Sequence, residues 1–425
     1  MSTIIPSYDF IGIGAGPANL SLAALSTSVE NLNGRIFERA SEFVWHPGIL
    51  FQESLLQTSF LKDLVTPIDP TNPYSFLSYL VSRKQLYSFI TASFEQIPRK
   101  EFSNYLAWAA QSLPNVALDT SIENIETDGD KWTVHTSKGI ATTKDIVMGT
   151  GRQPAVPECA QKYLGKNVFH ANQFCFHNPE IKGKRVAVIG GGQSGAEVVN
   201  HLIADSDLLP ERLVWVSRRS NYFALDDSPF ANEWYTPSYS NVFYNLPNED
   251  KSKNILEQIL SSDGVSIGLL QDIYRRIYQL RFIDNHSSES IALIPSCNLK
   301  NMTQDSNYQL EFVFSNGETF TEDFDVVILA TGYRWQVPPY MQEIAKYIEL
   351  VDGEPKVCAD FSIQLEGLPS LRLFAQNATQ GQRGVADPNL SLLAWRSAKI
   401  CNQLARHDVY DCEDLTSFIK WPQKQ

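Results

Sequence analysis

Asp9-Phe10-Ile11-Gly12-Ile13-Gly14-Ala15-Gly16-Pro17-Ala18-Asn19-Leu20 decides the fold. A short apolar run, Tyr8 to Ile13, enters a glycine turn and leaves it into an Ala- and Leu-rich helical pattern through Leu25. Gly14 permits the tight turn, and Gly16 lets the backbone approach a pyrophosphate. Pro17 opens the helix, whose free N–H groups and positive dipole end face the phosphates. The third glycine of G-x-G-x-x-G is replaced by Asn19, which fits if its side chain bonds locally. Gly34 to Glu38 reads as the next strand. Glu38 ends it about 20 residues after the turn, where an acid binds ribose hydroxyls; a solvated strand-end acid is the alternative.

The same mechanics recur in Arg185-Val186-Ala187-Val188-Ile189-Gly190-Gly191-Gly192-Gln193-Ser194-Gly195-Ala196-Glu197. Here Gly190, Gly192 and Gly195 fill all three glycine positions, between a strand from Lys184 and a helix through Val199. The following strand, Leu213 to Val216, runs into Ser217-Arg218-Arg219 where an NAD site carries an acid. Arginine there pairs with a 2′-phosphate, which favours NADPH over NADH; an exposed basic loop is the alternative. Two such turns in one chain suggest two dinucleotides brought face to face, one reducing the other.

The chain has 425 residues, enough for two or three domains, and its 43% hydrophobic and 20% charged content is that of a globular protein. A net charge of −13 argues against nucleic acid as a partner. No apolar run is long enough for a membrane span, and the N-terminus lacks the pattern of a signal peptide. The six cysteines form no CxxC pair and the histidines no metal spacing, so a cytoplasmic protein with reduced thiols and no metal is expected.

Two similar phrases, Asp145 to Pro154 and Asp325 to Arg334, each run a strand into a Thr-Gly turn and bracket the second nucleotide fold. The expected architecture is α/β, with two Rossmann-like dinucleotide-binding domains. Residues 1–159 and 326–425 form the first, and 160–325 form the second. A small, mostly helical segment near 228–279 covers the substrate, and Trp421 to Gln425 reads as a tail.

With these motifs in place, the chain resembles the N-hydroxylating flavoprotein monooxygenases of siderophore biosynthesis, in their lysine N6-hydroxylase and diamine N-hydroxylase branch. The resemblance spans nearly the whole chain. It rests on Gly14-Ala-Gly-Pro-Ala-Asn19, Trp45-His46-Pro47-Gly48, Gln57-Thr-Ser-Phe-Leu-Lys62-Asp63-Leu64 and Asn72 to Leu80. It continues in Gly190 to Gly195, Ala330-Thr331-Gly332-Tyr333 and Leu390-Ser391-Leu392-Leu393-Ala-Trp395-Arg396-Ser397.

The resemblance implies bound FAD in the first domain, NADPH in the second and molecular oxygen as co-substrate. A primary amine attacks a flavin C4a-hydroperoxide to give an N-hydroxylamine, later acylated into an iron-binding hydroxamate. It places Gln57 against the flavin, Lys62 on the substrate carboxylate, Gln193 beside the nicotinamide and flavin, and Asn232 near the substrate. Trp45, His46 and Leu390 to Leu393 line the isoalloxazine, and Ser194, Thr331, Gly332 and Tyr333 complete the cofactor set. A homo-oligomer, dimer or tetramer, is also implied.

Several residues have plainer readings. A surface ion pair with the adjacent Asp63 is the lesser alternative for Lys62, whereas His46 packs equally well as a structural histidine. Asp387 either binds a distal substrate ammonium or caps the helix leading into Leu390 to Ser397. Ser261 to Ser266 resembles the lysine and diamine branch, whereas Arg383 stands where the family usually has histidine. The substrate therefore stays open between L-lysine, putrescine, cadaverine, diaminopropane and histamine. A flavin monooxygenase of ketones or sulfides and a catalytically silent nucleotide-binding sensor are the competing classes.

Overall fold

The computed structural model describes residues 5–413 and 417–421; of the tail expected from Trp421 to Gln425, Trp421 packs on Tyr239 with ring centroids 4.5 Å apart, and 422–425 lie outside the described residues. Two parallel five-stranded sheets organise the chain. The first has the order Arg372–Ala375, Asp145–Met148, Phe10–Ile13, Gly34–Phe37, Val116–Ala117. Its strands come from both ends of the sequence. The second has the order Ile291–Ile294, Arg212–Val216, Arg185–Ile189, Val326–Leu329, Val168–His170.

The two-residue period of a strand divides each sheet between two cores. Phe10, Ile36, Val147 and Phe374 face the helices Pro17–Ser26 and Leu393–Ala405. Ile11, Ile13, Phe37, Ile146 and Met148 face the other way, onto an antiparallel sheet of Ile122–Thr127, Trp132–Thr136 and Gly139–Thr143. In the second sheet Val186, Val188, Leu213, Trp215 and Ile328 pack under the helix Gln193–Leu202. Ala187, Ile189, Val214, Val216 and Val327 pack on a second antiparallel sheet, Cys297–Gln304, Tyr308–Phe314 and Thr319–Phe324. Burial on both faces explains why the parallel strands read as continuous apolar runs.

The boundary expected at 325 needs correction. Val326–Leu329 pairs in register with Val186–Ile189, so the second domain runs on past this strand. The two Thr-Gly phrases then meet as a two-stranded ribbon, Gln153–Pro154 against Tyr333–Arg334. The Ala155 N–H donates to the Gly332 carbonyl at 2.9 Å, and the Thr331 hydroxyl donates to the Ala155 carbonyl at 2.7 Å. The chain thus enters and leaves the second domain at one place.

The expected helical segment is formed by Pro237–Tyr244, Asn248–Glu257, Ile259–Asp263 and Ile267–Tyr278. It is tied to the second domain where the Leu225 N–H donates to the Val265 carbonyl at 2.8 Å. Among the described residues no helix is long and apolar enough to cross a membrane.

Candidate active site

Both glycine turns leave the carboxyl end of a central strand that has parallel neighbours on either side, the place where doubly wound sheets open a crevice. Gly14 sits at φ 81°, a conformation that a side chain would strain. Asn19 does the local work its position requires. Its buried amide donates to the Ile13 and Gly14 carbonyls at 3.1 and 2.9 Å and accepts from Gln376 at 2.9 Å. Glu38 accepts from the Ala15 N–H at 2.8 Å, so the acid after the second strand braces the turn itself.

In the second turn Gly190 has φ 132°, and a Cβ there would lie 2.0 Å from the Ala330 carbonyl oxygen. Neither following helix, Pro17–Ser26 or Gln193–Leu202, has a side chain capping its N-terminus. Their first N–H groups are available to an anion. Both turns therefore fit the pyrophosphate of a dinucleotide.

The arginines after Val216 divide. Arg219 is half-buried; it donates to the Asp263 carbonyl at 2.8 Å and lies 3.9 Å from the Asp263 carboxylate. Arg218 is exposed. Arg218→Ala is expected to raise the Michaelis constant for NADPH roughly tenfold and to leave that for NADH nearly unchanged. Steady-state kinetics with both coenzymes check this; equal effects would return Arg218 to the exposed-loop reading.

Between the turns lies the stretch 57–66. Gln57 Nε2 donates to Ser266 Oγ at 3.3 Å, and Gln193 Oε1 accepts from the Ser266 N–H at 2.9 Å and from its hydroxyl at 3.3 Å. Ser266 thus joins the two glutamines, Gln57 and Gln193. Gln193 Nε2 donates to Glu197 at 2.9 Å. Arg99, at the start of the helix Arg99–Ser112, closes on Glu197 through contacts of 3.0 and 2.5 Å, with both side chains largely buried. Tyr333 is half-buried beside this pair, and burial, the largest cause, pushes its phenol up to about 12.

The next residue, Thr58, faces a second cluster. Its hydroxyl lies 3.3 Å from Ser391 Oγ, and Lys62 Nζ donates to the same Oγ at 3.3 Å. Asp63 does not pair with Lys62. It is buried and accepts from the N–H groups of Val65, Thr66 and Phe76 at 2.9, 2.7 and 2.6 Å and from the Thr66 hydroxyl at 2.8 Å. Among the described residues no carboxylate lies within ion-pair distance of Lys62; burial lowers its pKa.

Other expected residues take different places. Asp387 neither caps the helix nor has a free carboxylate. It accepts from the Thr379 N–H at 2.9 Å and is ion-paired at 3.1 Å with Arg396, both fully buried; the cap belongs to Asn389, which accepts from the Ser391 N–H at 2.8 Å. The substrate role expected of Asp387 gives way to this pairing. Asn232 is exposed, and its amide holds its own turn by donating to the Asp227 and Ser228 carbonyls at 2.8 and 3.3 Å. Arg383 is buried between the rings of Tyr244 and Phe361, 4.2 and 4.1 Å from their centroids, and donates to the Cys358 carbonyl at 2.7 Å.

Trp45 packs at 5.7 Å on Phe102 and at 4.9 Å on His46, which is itself exposed and left-handed at φ 50°. Thr58, Arg99, Glu197 and Ser266 escaped the sequence reading. Only the four-residue spacing of Gln193 and Glu197 on one helix face was a signal.

Comparison with known proteins agrees with this geometry. The family model of L-lysine 6-monooxygenase/L-ornithine 5-monooxygenase matches residues 6–335. The L-lysine N6-monooxygenase of Escherichia coli is 38% identical over 98% of each chain. The FAD-bound cadaverine monooxygenase of desferrioxamine biosynthesis from Erwinia amylovora superposes with a TM-score of 0.91, at 28% identity over the whole of both chains. The ornithine N-hydroxylase of Kutzneria, solved with reduced FAD, NADP+ and L-ornithine, gives 0.85 at 28% identity over 94% of this chain and 99% of its own. Amine hydroxylation, not ketone or sulfide oxidation, is the chemistry these relatives share. The chain belongs to the L-lysine 6-monooxygenase/L-ornithine 5-monooxygenase family of flavin-dependent N-monooxygenases.

Proposed function

We propose that this protein N-hydroxylates the terminal amine of L-lysine for hydroxamate siderophore biosynthesis, using FAD, NADPH and molecular oxygen. When bound, reduced FAD activates oxygen for transfer to the amine nitrogen, with NADPH supplying the electrons. The first glycine turn, braced by Asn19 and Glu38, holds FAD. The second turn and Arg218 hold NADPH.

One demand falls on the side chains. A lysine amine has a pKa near ~10.4, so about 0.1% is neutral at pH ~7.5, and presenting the neutral form costs roughly 4 kcal/mol in water. A carboxylate beside the nitrogen would deepen that cost, and an apolar or neutral polar surrounding reduces it. Gln57, Thr58 and Ser266 contribute only amide and hydroxyl groups. Glu197, the carboxylate that accepts from Gln193, is neutralised by Arg99.

The observation that carries the substrate reading is Lys62, a half-buried cation on Ser391 without an anionic partner among the described residues. It suits the α-carboxylate of an amino acid and repels the distal ammonium of a diamine. Asp387, committed to Arg396, offers no site for such an ammonium. The whole-chain likeness to a cadaverine monooxygenase favours a diamine as the second reading. NADPH oxidation and hydroxylamine formation measured across L-lysine, L-ornithine, putrescine, cadaverine, diaminopropane and histamine decide it. L-lysine is expected to give the highest coupled turnover. Higher turnover with cadaverine overturns the carboxylate reading, and no hydroxylamine from any amine overturns the activity. Cytoplasmic localisation and a homodimer or homotetramer complete the reading, from the reduced thiols and the family resemblance.

A further inference from the structure

Ser266 precedes the helix Ile267–Tyr278 at the N-cap, where a serine hydroxyl ordinarily accepts from the first turn; here it makes no such bond. Its hydroxyl is directed across the cleft to two glutamines separated from it by 209 and 73 residues. The direction of every hydrogen bond in this chain is determined. The Glu197 carboxylate, held by Arg99, only accepts, so Gln193 must present Nε2 to it and Oε1 to Ser266. The Ser266 hydroxyl then donates to Gln193 and accepts from Gln57 Nε2. This orients the Gln57 amide with its carbonyl oxygen unengaged among the described residues.

We propose that Ser266 is a positioning residue that fixes the rotamer and amide orientation of Gln57, using the second domain as its anchor. The proposal rests on the N-hydroxylase reading. Removing the hydroxyl leaves Gln193 its 2.9 Å bond from the Ser266 N–H, so the loss falls on Gln57.

The test compares holoenzyme variants Ser266→Ala, Gln57→Ala and their double, with Ser266→Thr and Ser266→Val as an isosteric pair that differs by the hydroxyl. L-lysine and cadaverine serve as substrates. Ser266→Ala is expected to lower hydroxylamine formed per NADPH oxidised roughly fivefold, with the amine KM within about twofold of wild type. The double variant should be no worse than Gln57→Ala, because the two groups act as one. Ser266→Thr should recover coupling and Ser266→Val should not. A readout independent of turnover is the visible absorption of the bound flavin, expected to shift alike in Ser266→Ala and Gln57→Ala.

Multiplying losses in the double variant, or equal coupling in Thr and Val variants, would overturn the proposal. So would a uniform fall in FAD content, thermal stability and every rate. If the wild type hydroxylates no amine, the function reading fails while the flavin spectra still judge Ser266.

Discussion

Lys62→Ala lowers kcat/KM for L-lysine by roughly 10- to 100-fold, mostly through KM, while FAD stays bound. The ammonium is half-buried, so its bond to a substrate carboxylate forms in a site poor in competing water, where charged hydrogen bonds are strong. Cadaverine, lacking the carboxylate, loses little or gains. An equal loss with both amines would make Lys62 a structural prop of Ser391.

The same residue sets a pH dependence. Burial disfavours the ammonium and lowers its pKa from the usual 10.5. Carboxylate binding is therefore complete below the lowered value and is lost as pH rises through it. The KM for L-lysine should climb on the alkaline side at a lower pH than an ordinary lysine side chain titrates, and Lys62→Arg should delay the climb.

The largest loss of stability is expected from Arg396→Met. Arg396 and Asp387 are both 1% exposed. The guanidinium also donates to the Asp387 carbonyl at 2.7 Å, to Gln376 at 3.3 Å and to Asn377. Without it Asp387 is a buried charge that has lost its ion-pair partner, at a cost of about 3–5 kcal/mol. The damage reaches the first glycine turn, since Gln376 relays Arg396 to Asn19. Denaturant unfolding and FAD content check this together, and Arg396→Met with Asp387→Leu should recover part of the loss. A change below about 1 kcal/mol in Arg396→Met would show that Asp387 is not left as an uncompensated buried charge.

Both glycine turns were legible because strand, turn and helix start lie within a dozen residues, each with its own local chemistry. Asn19 departs from the motif, yet its side chain bonds locally, as expected. Val326–Leu329 was misassigned because four buried apolar residues look alike in either sheet, and only the pairing partner decides. The two antiparallel sheets were not anticipated. Asp387 and Asn389 are equally good caps two residues apart; a buried arginine took one and left the other. The Ser266 junction depends on contacts between distant segments, which no local pattern announces.

The two-stranded ribbon at Gln153–Pro154 and Tyr333–Arg334 has a consequence for biosynthesis. The first sheet needs Arg372–Ala375 as its edge strand, and the helix Leu393–Ala405 covers its face. Both emerge from the ribosome only after the entire inserted domain. The first sheet therefore cannot gain this edge strand until the inserted segment has been synthesised.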